Sequence, residues 1–533
     1  MGGGHQVTVP FDGLDDGLDD GLDDGPDDGP DDGPRRLAGL THGGAGWPGL
    51  RVIVAGLGVS GFAAADALVE RGADVVVVDE RSGPSQHERA AIIETLGGAV
   101  RLGEGTTDTL PDIAGAAPDL VVTSPGWRPD QPLLAAAAAV GVPIWGEVEL
   151  AWRMRPATGA AKWLTLTGTN GKTTTVKMLA AMLTAAGERA VSAGNVGTPI
   201  LEAVLHPEPF DVIAVELSSF QLHWSSSPRP QASACLNVAA DHIDWHGSMA
   251  AYAADKGRVY ADTEIACVYN VADPTTEQLV RDADVVEGCR AIGFTLGVPA
   301  VGMLGVVEGV LADRAFVPER RTSAAELGTL DDVRTASGGT LAPHNVANAL
   351  AAAALARAHG VPPVAVRDGL RGFRPDAHRI ARVAETGGVA WVDDSKATNP
   401  HAAAASLAAF DHVVWIAGGL AKGATFDDLV AGRAGRLRAA VLIGRDRELI
   451  AETLARHAPD VPVVTVGVAD TGPVELMDAV VARAAGLARP GDTVLLAPAC
   501  ASMDQFDSYA HRGDEFAAAV RRLGGAGVRP GEG

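Results

Sequence analysis

The sequence predicts an α/β chain of three domains built on parallel sheets, preceded by a disordered acidic tail. Three observations carry this expectation. The length of 533 residues corresponds to about three domains at roughly 150 residues each. Hydrophobic residues make up 47% of the chain, with few aromatics among them, enough for several cores. Short Val/Ala/Leu runs ending in glycine alternate with Ala-rich helical stretches, the pattern of strands buried on both faces between crossover helices.

Residues 1–46 carry the tandem unit G-[LP]-D-D, with eleven aspartates between Asp12 and Asp32 opposed only by Arg35 and Arg36. Such a segment has almost no apolar surface to bury and is expected to be disordered, a solvated extension rather than an interaction arm. It supplies nine of the 24 net negative charges and leaves fifteen on the rest. An acidic body argues against a nucleic-acid partner, which would need clustered Lys and Arg. It does not exclude anionic substrates, because backbone N–H groups hold phosphates locally. Cys235, Cys267, Cys289 and Cys500 form no C-x-x-C pair, so neither a disulfide framework nor a structural zinc site is indicated. No apolar run of 18 residues and no signal-peptide pattern is found, so no membrane insertion and a cytoplasmic location are expected.

Taken in order, the first domain is expected over 47–150. Arg51–Ala55 reads as a buried strand, followed by the turn Gly56-Leu-Gly-Val-Ser-Gly61 and a helix to about Arg71. A second strand, Asp74–Val78, ends at Asp79, and a third, Asp119–Thr123, runs into Ser124-Pro125-Gly126. Open parallel sheets bind ligands at such strand ends. The second domain is expected over 151–375. It starts with the strand Trp163–Thr167, the loop GTNGKTT over Gly168–Thr174 and the helix Lys172–Ala186. A strand over Asp211–Leu217 follows, 296–340 shows no assignable periodicity, and Pro343–His359 reads as a helix closed by Gly360. The third domain, 376–533, carries strands at Val413–Ala417, Ala440–Ile443, Val461–Val466 and Thr493–Ala497.

The GTNGKTT loop follows a strand and opens a helix, the context a phosphate loop requires. Its glycines let several N–H groups point inward at oxyanions, Lys172 can reach the terminal phosphates, and the Thr173 hydroxyl can ligate Mg²⁺. One feature departs from the common G-x-x-x-x-G-K-[ST] pattern: the first glycine falls on Leu166, which marks a shorter subtype. The GLGVSG turn with Asp79 fits a dinucleotide fingerprint and, alone, would suggest a NAD-dependent oxidoreductase. Chemically it shows only that a helix N-terminus can hold a diphosphate and a carboxylate can meet a ribose, which a UDP-sugar satisfies as well as NAD does.

With these motifs in place, the chain resembles the Mur ligases, and within them the branch that adds D-glutamate to UDP-N-acetylmuramoyl-L-alanine. The resemblance spans about 47–533. It rests on GLGVSG, SPG at 124–126, GTNGKTT, GNVG at 194–197, ELSSFQL at 216–222 and NVAADHIDWH at 237–246, then YAADKGRVY at 252–260, HNVANAL at 344–350, DDSKATNP at 393–400 and APACASMDQF at 497–506. It implies a Rossmann-like N-terminal UDP-binding domain, a central P-loop-type ATPase domain and a Rossmann-like C-terminal domain that receives the amino acid. The implied activity is ATP-dependent amide-bond formation through an acyl phosphate in peptidoglycan precursor synthesis. The implied partners are UDP-N-acetylmuramoyl-L-alanine and D-glutamate, and a monomer is expected. An oxidoreductase using GLGVSG would leave the phosphate loop and DSKATN idle; a regulatory P-loop switch would not need D-glutamate for phosphate release.

Residue by residue, the resemblance implies that Val59, Ser60, Asp79, Glu80, Arg81 and Gly126 surround the uridine diphosphate, with Asn195 and His242 reaching toward its sugar. Gly168, Thr169, Asn170, Gly171, Lys172, Thr173 and Thr174 would hold the ATP phosphates, Asn345 and Asn348 the adenine. Arg379 and Asp394 would face ATP from the third domain, Arg379 near the migrating phosphoryl group. Two Mg²⁺ ions are implied, one on Thr173 and Glu216, the other on His242 and Lys256. A free lysine is cationic at pH 7 and no metal ligand; in the family this lysine is carbamylated by CO₂. D-glutamate would meet Thr398, Lys422, Ser502, Met503 and Tyr509, with Lys396 close to the reacting phosphate. The family's last contact is usually Phe, so the Tyr509 phenol adds a polar tip.

Overall fold

The computed structural model describes residues 33–337, 341–374, 377–467 and 472–526. Most of the acidic tail and the expected boundary at Asp376 lie outside the described residues. The chain up to Gly39 is a unit by itself, of which the short helix Gly33–Ala38 is described; Leu40 onward is one compact unit. One expectation is corrected: ordered structure begins before Trp47. Leu40 is wholly buried, its carbonyl accepts from Arg153 Nη1, and Gly43 N–H donates to the Arg155 carbonyl at 2.9 Å. An apolar leucine with backbone partners belongs to the folded body, although aspartates dominate what precedes it.

Strands β1 (Arg51–Ala55), β2 (Asp74–Asp79), β3 (Ala99–Leu102), β4 (Leu120–Thr123) and β5 (Ile144–Gly146) form a parallel sheet ordered β3-β2-β1-β4-β5. Every residue of β4 and all but the first of β1 and β2 are buried, as expected for strands covered on both faces. The order reverses between β1 and β4, so the Gly56–Gly61 turn and Ser124–Gly126 meet at one switch point.

The second sheet is built from β6 (Lys162–Thr167), β7 (Ala190–Gly194), β8 (Val212–Glu216), β9 (Ala232–Cys235), β10 (Ala266–Asn270), β11 (Arg290–Phe294), β12 (Met303–Val307), β13 (Val310–Asp313) and β14 (Ala325–Thr329). Its order is β14-β13-β12-β11-β10-β9-β6-β8-β7. β6 sits between β9 and β8, so the phosphate loop leaves a reversal point. The register pairs Leu166 with Glu216 and Gly194 with Glu216, which brings that carboxylate and Asn195 beside the loop. The helix Pro343–His359 is Ala-rich on all sides and buries Ala349–Ala356 without a break; such a helix belongs inside a core. It ends at Gly360, whose φ of 105° is the left-handed stop. The segment with no assignable periodicity holds β12–β14 and the helix Leu330–Ala336; β13 pairs antiparallel with both β12 and β14.

The third sheet holds β15 (Ala381–Thr386), β16 (Val389–Asp393), β17 (Val413–Gly418), β18 (Leu437–Ile443), β19 (Val463–Thr465) and β20 (Thr493–Leu496), ordered β15-β16-β20-β17-β18-β19. Among the described residues of this sheet only the β15–β16 pair is antiparallel. Among the described residues no helix is long and apolar enough to cross a membrane.

Candidate functional site

A cleft forms where the C-terminal ends of β6 and β8 face the start of the third sheet. Thr169–Thr174 line one wall, and Arg379, Asp394, Lys396 and Thr398 line the other. Gly171 precedes the Lys172–Ala185 helix at φ 85°, and a Cβ there would collide with the Asn348 side-chain oxygen. Glycine is therefore required both for the left-handed backbone and for the close approach. Asn237 clamps the loop from the opposite side: its Oδ1 accepts from Asn170 N–H at 2.9 Å and its Nδ2 donates to the Asn170 carbonyl at 3.1 Å.

Lys172 Nζ donates to the carbonyls of Gly168 (2.8 Å) and Thr169 (3.1 Å), folding its ammonium back over the loop. Loss of solvent lowers its pKa; Glu216 and Asp241 oppose this, while the positive charges of Arg379 and Lys396 add to it. Three cations thus converge on one loop, an arrangement that a bound polyanion relieves.

Glu216 is 1% exposed. Its Oε1 accepts from Asn195 Nδ2 at 2.9 Å, whereas Oε2 is buried with no hydrogen-bond partner among the described residues. A buried carboxylate oxygen left unpaired is costly and fits a cation seated there, with the Thr173 hydroxyl across the loop in the same cleft. His242 also lines the cleft, at φ 54°, with its Nε2 3.7 Å from Asp241 Oδ2; burial lowers its pKa. Lys256, 2% exposed, lies behind the cleft wall with Nζ 4.6 Å from the Tyr252 ring centroid. Burial first, and repulsion by Lys172 second, bring its pKa down to about 7. Among the described residues no three His, Cys, Asp or Glu side chains are grouped to hold a metal.

On the opposite wall, Asp394 Oδ2 accepts from Ser406 Oγ, and burial raises its pKa to about 6. Asn345 and Asn348 lie at the cleft floor. Lys396 Nζ sits 3.9 Å from the Tyr509 ring centroid. Backbone bonds between Leu420 and Ala501 in both directions join the Lys422 loop to the Ser502–Met503 turn. Lys422 holds φ 51°, Ser502 is buried and Met503 is exposed.

Val59, Ser60, Asp79, Glu80, Arg81 and Gly126 gather at the C-terminal edge of the first sheet, outside this cleft. Asp79 faces inward: Oδ2 accepts from Leu57 N–H at 2.7 Å, and both oxygens take the Arg81 guanidinium. Burial alone would raise its pKa, but these bonds hold the carboxyl below its usual range. Glu80 accepts from Thr107 Oγ1. The Gly126 carbonyl accepts from Trp245 Nε1 at 3.3 Å, tying this edge to the segment that carries His242.

Sequence reasoning overlooked several residues of the cleft. Asn237 and Asp241 stand inside NVAADHIDWH, His344 inside HNVANAL, and Asn399 inside DDSKATNP, so the strings held them without assigning them. His401 Nδ1 lies 2.8 Å from Asn170 Nδ2, and Asn399 Nδ2 donates to Asn170 Oδ1 at 3.2 Å. These contacts link the phosphate loop to the third sheet, and no local pattern announces them.

Fold and cleft together define a three-domain nucleotide-dependent enzyme with the phosphate loop at its centre. Family models for the Mur ligase MurD-like N-terminal domain, the Mur ligase middle domain and the Mur ligase glutamate ligase domain match residues 50–146, 166–356 and 378–500. The chain belongs to the Mur ligase family. It is 62% identical to a UDP-N-acetylmuramoylalanine–D-glutamate ligase of Streptomyces avermitilis over 90% of this chain and 99% of that one. It is 57% identical to the enzyme of the same name from Thermobifida fusca, over 90% and 99%. A crystal structure of UDP-N-acetylmuramate–alanine ligase from Thermotoga maritima aligns over 89% of this chain and 99% of that one. Its TM-score is 0.51 at 19% identity, a likeness of fold.

Proposed function

We propose that this protein joins D-glutamate to UDP-N-acetylmuramoyl-L-alanine at the expense of ATP, in peptidoglycan precursor synthesis. The near-full-length identity to D-glutamate ligases supports this reading. The observation that carries the chemistry is the convergence of Lys172, Arg379 and Lys396 on the phosphate loop opposite the unpaired Glu216 oxygen.

A carboxylate resists attack by an amine because its oxygen leaves poorly. The L-alanyl carboxylate therefore attacks the γ-phosphorus of ATP, ADP departs, and an acyl phosphate forms. The D-glutamate amine attacks the acyl carbon, loses a proton, and the tetrahedral intermediate collapses to the amide with release of phosphate. Loop N–H groups and Lys172 hold the β- and γ-phosphates, Arg379 meets the migrating phosphoryl group, and Lys396 approaches it from the third domain. Asn345 and Asn348 contact adenine, and Asp394 faces ATP. The first sheet's edge, with Asn195 and His242, receives the UDP-sugar. Thr398, Lys422, Ser502, Met503 and Tyr509 receive D-glutamate.

Thr173 and Glu216 would hold one Mg²⁺, His242 and a carbamylated Lys256 a second; the ions supply charge neutralisation to the phosphates. Burial of Lys256 beside Lys172 supports the carbamate. An ammonium is disfavoured there, the neutral amine reacts with CO₂, and the product is an anionic oxygen donor. Substrate labelled with ¹⁸O in the L-alanyl carboxylate tests the acyl phosphate. Each phosphate released in the presence of D-glutamate is expected to carry one ¹⁸O by mass spectrometry; unlabelled phosphate would refute the step.

A further inference from the structure

Glu216, His242 and Lys256 sit on three separate elements, and one buried histidine bonds to His242 and to a near neighbour of each of the other two. His246 follows His242 by one helical turn and its N–H donates to the His242 carbonyl at 3.1 Å. Its Nδ1 lies 2.8 Å from Oδ2 of Asp255, the residue before Lys256. Its Nε2 lies 3.0 Å from Oγ of Ser219, which opens the Ser219–His223 helix three residues after Glu216. The His246 side chain is 0% exposed, wedged between the rings of Phe220, Trp245 and Tyr252. Asp255 also accepts from His223 Nδ1, at 3.0 Å, so its carboxylate is held from two sides.

We infer that His246 is a positioning residue for the second metal site: one turn from His242, it holds Asp255, the neighbour of Lys256, and Ser219 fixes its ring, so that it sets the separation of His242 and Lys256. The inference rests on the proposed carbamate reading and deepens it. A carboxylate at Nδ1 selects the tautomer with the proton on that nitrogen, and Nε2 then accepts from the Ser219 hydroxyl. Both ring nitrogens are spent on neighbours, so the ring is a strut and not a ligand. A strut is needed because His242 holds a left-handed backbone, which persists only where its surroundings over-determine it.

The test uses the full chain with ADP, Mn²⁺ as a spectroscopic probe, and ¹³CO₂. The unaltered protein is expected to bind two Mn²⁺ by electron paramagnetic resonance and to show a ¹³C carbamate signal. His246→Ala should weaken the second Mn²⁺ by about tenfold or more, the usual scale for an outer-shell partner, and diminish the carbamate signal. Ser219→Ala, which deletes one hydroxyl, should weaken it in the same sense, and His246→Gln, which keeps a polar group toward Ser219, should recover part of the loss. A merely structural role would lower the melting temperature and leave Mn²⁺ affinity unchanged in all three variants, and that result overturns the inference. Absence of both the second Mn²⁺ and the carbamate from the unaltered protein overturns the carbamate reading and the inference with it.

Discussion

Lys172→Met is expected to fold normally and to lose turnover by about 10³-fold, measured as phosphate release against thermal melting. The fold loses little, because among the described residues the ammonium bonds only to two carbonyls of its own loop. An unbranched side chain of similar length takes its place, and removing a poorly solvated charge relieves the repulsion from Arg379 and Lys396. The transition state loses much more. Deleting one preorganised donor aimed at developing charge typically costs 10²–10³ in turnover, and here the donor is a full cation in a partly dehydrated cleft. Turnover within tenfold of the unaltered protein would mean that Lys172 does not meet the transferring phosphoryl group.

Lys256→Met is the second large effect, expected at about 10²–10³-fold on turnover, with UDP-substrate affinity held within a few-fold. The side chain is buried against Tyr252, so methionine preserves packing and removes only the nitrogen. Its distinguishing sign is gas dependence. With a pKa brought down to about 7, the amine is substantially neutral at neutral pH, and the carbamate equilibrium follows dissolved CO₂. Activity of the unaltered protein should fall in CO₂-stripped buffer and return with bicarbonate, while Lys256→Met should not respond. If both enzymes ignored CO₂, Lys256 would act as a plain amine or as packing.

The parallel core was legible because strands buried on both faces read as apolar runs that stop at glycine or a carboxylate, as at β1, β2, β6 and β8. The Pro343–His359 helix was legible to the residue, bounded by Pro at one end and Gly360 at the other. Part of what escaped notice was short or half-exposed, though β9 and β16 are largely buried and were missed as well. β5 has three residues, and β3 alternates exposed with half-buried positions at the sheet edge. β12 and β13 join through Glu308–Gly309, with φ 49° and 82°. That is a two-residue hairpin turn written as Glu-Gly, where Asn-Gly or Asp-Gly would have announced it.

The cleft was legible in a similar, partial way. Glycines and lysine of the phosphate loop carry their chemistry in their spacing, and the register of β6 with β8 delivers Glu216 as expected. Asp79, expected beside the uridine diphosphate, accepts here from Leu57 N–H and Arg81, bonds that hold its carboxylate at the strand end and that no local pattern announces. The Asn170 contacts with Asn399 and His401 span more than 200 residues of sequence, and only the closed chain brings them together.

In the proposed reaction, ATP cleavage is harnessed to the addition of one amino acid. Phosphate release with UDP-N-acetylmuramoyl-L-alanine, ATP and Mg²⁺, comparing D-glutamate with L-glutamate, D-alanine, L-alanine, L-lysine and diaminopimelate, tests it most directly. Turnover is expected with D-glutamate and at most a small fraction of it with the others, with the amide product found by mass. Equal phosphate release with no amino acid, or preference for another of the set, would contradict it.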